Sequence, residues 1–89
     1  MNDAERLGIS AVTPYEHYQR TQALKQFVEL LGHQDPHQRR GQYVFNVLLD
    51  TFPLMAEKIR GDIFLDPFYK DALIEPCLSW LFDHWFDPI

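Results

Sequence analysis

The chain has 89 residues, of which 46% are hydrophobic, 15% aromatic and 24% charged; that is one domain with enough apolar material to fold, and it excludes global disorder. The formal charge of −5 is uneven: from Leu54 onward seven acids (Glu57, Asp62, Asp66, Asp71, Glu75, Asp83, Asp87) stand against three bases (Lys58, Arg60, Lys70), which repels a phosphate backbone and favours a basic partner or a solvated surface. One cysteine, Cys77, excludes an intramolecular disulfide and a thiolate metal cluster. No apolar run reaches the ~18 residues of a membrane span, and MNDAERLGIS lacks the features of a signal peptide, so the expected setting is cytoplasmic.

Residues 1–12 mix charge with Gly8 and Ser10 and keep no period, so a loose arm is expected, with Leu7, Ile9 and Val12 as its contacts with the body. Thr13, Pro14 and Glu16 mark a helix start, with threonine as cap, proline at the first position and Glu16 completing a capping box. This helix is expected to run to Leu31 with Leu24, Phe27, Val28 and Leu31 inward, after Tyr18 or Thr21 one turn earlier. A left-handed stop is expected at Gly32.

Asp35, Pro36 and Gln38 repeat the start signal, so a second helix is expected over residues 36–52, forming a helical hairpin with the first. Its apolar residues Val44, Phe45, Leu48 and Phe52 fall at helical spacing. Gly41 lies on the same side, and glycine inside a helix costs about 1 kcal/mol relative to alanine, which points to a helix or bulky ring crossing closely there. Pro53 breaks the helix. Residues 54–60 resume it with Met55, Ala56 and Ile59 inward, and Gly61 ends it. The unit 38–61 is the centre around which the other segments are expected to wrap.

Residues 62–75 are aromatic, with a turn at Asp66 and Pro67. A helical turn is expected over 67–70, with Phe64, Phe68 and Tyr69 covering the core. Pro76 stands where a first helical position would be, with Glu75 near the cap. The last helix carries Cys77, Leu78, Leu81, Phe82 and Trp85 on one stripe, while Trp80 and His84 lie off it. The expected architecture is an all-α bundle of about four helices over residues 13–89, its second helical unit broken at Pro53.

The combination of Arg40, Gly41, Gln42, Phe45 and Asn46 with Arg60, Gly61, Asp66, Pro67, Phe68 and Tyr69, closed by Trp85, resembles a group of short, uncharacterised proteins from bacteria and their phages. Asp62 departs from the small polar residue expected after Gly61. The resemblance implies a small stand-alone protein of the kind carried on mobile elements, and it carries over no catalytic or binding residue.

Candidate chemistry is sparse. His17, His33, His37 and His84, with Asp35 or Asp83, supply no set of three or four converging ligands, so no metal and no cofactor are expected. Cys77 sits on an apolar stripe, where a thiol is a core residue rather than a nucleophile. Gln38, Arg39, Arg40 and Gln42 stand where a recognition helix would begin, against the acidic balance of the chain. Arg40 and Arg60 are expected to pair with Asp62, Asp66 and Asp71, and Asn46 to fasten that loop or the first helix if it is buried. The function expected is a non-enzymatic, acidic protein-binding module, such as a phage modulator of a host complex, that uses Tyr69, Trp80, His84, Phe86, Asp83 and Asp87 toward a protein partner. The alternatives are a self-associating structural protein, forming a homodimer, and a nucleic-acid binder using Arg39 and Arg40.

Overall fold

The structure, a computed structural model, describes residues 13–88, and the regular elements within them are all helical. They are α1 (Pro14–Leu31), α2 (Arg40–Thr51), α3 (Pro53–Ile59) and α4 (Ile74–His84), the last entered through a 3₁₀ turn at Asp71–Leu73. The all-α, four-helix expectation holds. The expected arm, with Leu7, Ile9 and Val12, lies outside the described residues. No described helix is long and apolar enough to cross a membrane.

Helix α1 begins as its sequence dictates: Thr13 Oγ1 accepts the Glu16 amide at 3.1 Å and Pro14 takes the first position. Phe27 is its one fully buried residue, with Ala23, Leu24, Leu30 and Leu31 packed partly around it. Val28, expected to point inward, is 51% exposed, because it stands ~100° round the helix from Phe27. Tyr18 is exposed as well.

Gly32 is right-handed, at φ −75°, rather than left-handed. Besides the Gly32 and His33 amides, the carbonyls at and just past the end of α1 find side-chain donors: Arg40 guanidinium nitrogens bond Leu31 O at 2.6 Å and His33 O at 3.0 Å, and Tyr43 Oη bonds Leu30 O at 2.8 Å. Side chains of α2 thus share the capping expected of a left-handed glycine turn.

Helix α2 starts at Arg40, four residues later than expected. Asp35 caps only a local turn, accepting the His37 amide at 2.9 Å and Gln38 Nε2 at 2.7 Å. Val44, Phe45, Val47 and Leu48 are buried, as is Gly41. The backbone breaks at Phe52, φ −148°, because Pro53 has no amide to donate. Met55, Ala56 and Ile59 of α3 join the core as their spacing predicts. Gly61 ends the unit with φ +76°, a conformation that a side chain would strain.

Helix α4 begins at Ile74, so Pro76 sits in its third position, and no side chain caps it. Cys77, Leu81 and Trp85 are buried, whereas Phe82, expected on that stripe, is 48% exposed. Trp85 secures the helix end. Its ring lies 5.3 Å from Phe27 and 5.0 Å from Phe52 between centroids, and Nε1 donates to Arg20 O at 2.9 Å.

Candidate functional site

The segment between α3 and α4 lacks regular structure yet is closely hydrogen-bonded. Asp62 Oδ1 accepts the Phe64 amide at 2.8 Å, and the Asp66 amide donates to Asp62 O at 3.0 Å. Asp66 then spans the turn, its two oxygens accepting the Gly61 amide at 2.6 Å and the Phe68 amide at 2.9 Å. These are turns closed by aspartate side chains, in which short carboxylates replace helix or strand partners. Pro67 is fully buried and Leu65 packs on the core.

Lys70 bonds Pro67 O at 3.1 Å without forming a helical turn over 67–70; the turns fall at 62–66 and at Asp71–Leu73. Of the three rings expected to cover the core, only Phe68 does so, meeting Phe45 edge-on with centroids 5.7 Å apart. Phe64 is 71% and Tyr69 80% exposed, and Ile63 beside them is 74% exposed.

The expected ion pairs are arranged differently. Among the described residues Arg40 meets no acid; it binds the end of α1 as described above. Arg60, just past the end of α3, pairs with Glu57 three positions back at 2.8 Å and lies 5.3 Å over the Phe45 ring, rather than reaching the loop acids. Arg39 takes the partner assigned to Arg40: it lies 3.4 Å from Asp71 Oδ1 and also donates to Phe68 O. Asp62 and Asp66 serve backbone amides instead of arginines. The reason is reach: in-helix neighbours three positions apart meet directly, and short carboxylates in a turn meet the amides nearest them first. Asn46 is half-buried, but Nδ2 donates to Gln38 Oε1 at 2.8 Å, so it fastens the α1–α2 connection rather than the aromatic loop or α1 itself.

These contacts bound a cleft of about 340 Å³ lined by Phe45, Asn46, Leu49, Arg60, Gly61, Asp66, Phe68 and Tyr69. It joins α2, the end of α3 and the loop. Seven of its eight lining residues belong to the residue combination on which the expected resemblance rests; they lie in three separated stretches that the fold gathers at one place. Leu49 had no sequence signal beyond its helical position. A second cleft, about 380 Å³, lies between α1 and the α2–α3 break, lined by Glu16, Gln19, Arg20, Ala23, Thr51, Phe52 and Leu54.

Of the residues expected to meet a partner, Tyr69 alone borders the first cleft. The others gather at the end of α4. Trp80 lies 4.6 Å from His84 between rings, His84 Nδ1 is 2.6 Å from Asp87 Oδ2, and Phe86 stacks on His17 at 4.8 Å. Asp83 is exposed beside them. Arg20 donates to Asp87 O, which joins this end to α1. Trp80 and His84 thus pack on each other and are only partly exposed.

Gln38 and Arg39 precede α2, and the guanidiniums of Arg39 and Arg40 are both engaged within the fold. Among the described residues no three His, Cys, Asp or Glu side chains converge on a metal position. Cys77 is buried, and desolvation, with the Asp66 charge as a lesser cause, pushes its thiol up to about 12, so it stays protonated at neutral pH. Comparison of the chain with protein-family models, with curated proteins and with solved structures found no match.

Proposed function

We propose that the chain is a non-enzymatic protein-binding module, a small modulator of a host protein complex. One observation carries this: Ile63, Phe64 and Tyr69 are 71–80% exposed on a segment whose backbone is tied down by Asp62 and Asp66. Large apolar side chains add nothing to the core from there. Holding them on an ordered turn lowers the entropy cost of docking, and exposed aromatic groups are the usual anchors of an interface. The acids of the second half of the chain speed encounter with a basic partner.

The test is a paired capture and sedimentation experiment. The chain and a Phe64→Ser, Tyr69→Ala variant are compared on host lysate and by sedimentation at several concentrations. A partner held by the natural chain and lost from a variant with unchanged circular dichroism supports the proposal. Equal capture by both rules out this surface. Concentration-dependent dimerisation, lost in the variant, assigns the surface to a second copy instead.

A further inference from the structure

We propose that the cleft beside Tyr69 is a receptor for a tryptophan side chain of a bound peptide. This rests on the protein-binding function above and names what its central pocket takes.

Three rings shape the cleft. Phe45 and Phe68 stand at 90° to each other, and Phe68 meets Tyr69 at 69° with centroids 4.8 Å apart. Leu49 completes the apolar wall. Phe45, 3% exposed beneath Arg60, is the floor, while Phe68 and Tyr69 offer a ring face and a ring edge, the arrangement in which a further aromatic group packs well. At about 340 Å³ the space is that of a small ligand site.

Two of the lining residues, Asn46 and Arg60, each keep a polar atom with no partner among the described residues, and the fold explains why. Asp35 accepts two hydrogen bonds that hold its carboxyl below the usual range, chiefly the one from the His37 amide and then that from Gln38, so it is ionised and accepts only. Gln38 must therefore turn its nitrogen to Asp35, at 2.7 Å, and its oxygen to Asn46. Asn46 in turn gives Nδ2 to Gln38, which leaves Oδ1 as a free acceptor. On the other side, Glu57 occupies Nε and Nη2 of Arg60, and Nη1 remains.

The residues that line the cleft thus offer an acceptor, a cation and aromatic walls. An indole is complementary to all three: it donates N–H without offering an acceptor, and its electron-rich face is the best ring partner for a guanidinium. Phenylalanine lacks the donor. Tyrosine has it on a smaller and less electron-rich ring.

The experiment is a titration of the full 89-residue chain, followed by amide and side-chain NMR shifts. The probes are N-acetyl-tryptophanamide, its tyrosine and phenylalanine counterparts, and an alanine pentapeptide with tryptophan at the centre. Expected are saturating shifts at the Asn46 side chain, Gly61, Phe68 and Tyr69, with the tryptophan probe tightest and the pentapeptide tighter still. Asn46→Leu should weaken the tryptophan probe roughly fivefold, as the loss of one hydrogen bond does, and Tyr69→Ala, at an exposed site, should weaken it in a folded chain. No saturating shift at these positions, shifts confined to the cleft at Phe52, or equal binding of the phenylalanine probe would overturn the proposal. Equal affinity of pentapeptide and free amide would overturn the peptide assignment in favour of a small aromatic compound. Self-association abolished by Trp80→Ala would overturn it in favour of a second copy. A chain that captures a protein through Phe64 and Tyr69 yet ignores the tryptophan probe separates this failure from that of the broader function.

Discussion

Asp71 Oδ1 accepts the amide of Gly41 at 2.9 Å, so helix α2 is capped by a carboxylate thirty positions later in the chain. Arg39, at the N-cap, has no side-chain oxygen to do this and instead reaches the same carboxylate at 3.4 Å. A negative group at a helix N-terminus satisfies an orphan donor and the helix dipole together. The contact also joins the aromatic loop and α4 to the central helix.

Asp71→Ala is expected to cost about 1–2 kcal/mol, the range for loss of a helix cap, and to speed exchange of the Gly41 amide. Asp71→Asn keeps an acceptor and should recover most of the loss. Urea midpoints of the three proteins check this; equal midpoints would remove Asp71 from the cap.

Gly41→Ala should destabilise, although alanine is favoured in a helix by about 1 kcal/mol. A Cβ at this position would overlap the Pro67 carbonyl oxygen and come within 2.8 Å of Asp71 Oδ1. Backbone cannot swing aside as a long side chain can, so overpacking of about 1–3 kcal/mol outweighs the propensity gain. Thermal unfolding of the variant reads the sign directly.

Loop order should depend on Asp66 and not on Arg60. Asp66→Ala removes the acceptor of two amides, and at about 1 kcal/mol per hydrogen bond exchange at Gly61 and Phe68 should rise roughly fivefold or more. Arg60→Ala breaks a half-exposed pair with Glu57, worth at most about 1 kcal/mol, and the contact over the Phe45 ring, neither of which involves the Gly61 or Phe68 amide, and should leave both amides unchanged.

Stability should fall in alkaline solution through Cys77. Its thiol is pushed up to about 12 in the folded chain, against about 8.5 when unfolded, so above pH ~8.5 the unfolded state loses a proton that the native state keeps. The raised value means a loss as pH rises, approaching about 1.4 kcal/mol per pH unit between roughly pH 9 and 11. Below pH ~8 the term vanishes. Denaturation of Cys77→Ala and the natural chain from pH 7 to 10 should show their stabilities converging as pH rises, and a constant gap would contradict the burial of the thiol.

The sequence by itself determined the helices and most of the core. Apolar residues recurring at helical spacing placed Val44, Phe45, Leu48, Met55, Ala56 and Ile59 inside, Thr13 and Pro14 fixed where α1 begins, and Pro53 and Gly61 fixed where the central unit breaks and ends. Gly41 announced a close approach, though not that a loop carbonyl makes it. These are local effects, set by neighbours within a turn or by the backbone limits of proline and glycine.

What only the tertiary structure decided is where the short polar side chains go. The sequence gives no sign that Asp71 serves α2, that Arg40 closes α1, or that Asp35, Gln38 and Asn46 form one relay. A carboxylate or guanidinium binds whichever orphan donor or acceptor lies within about 3 Å, and that is settled only when segments far apart in the chain have packed. The cleft follows the same rule, since its walls come from α2, the end of α3 and the loop and exist only after the apolar residues have brought those three together.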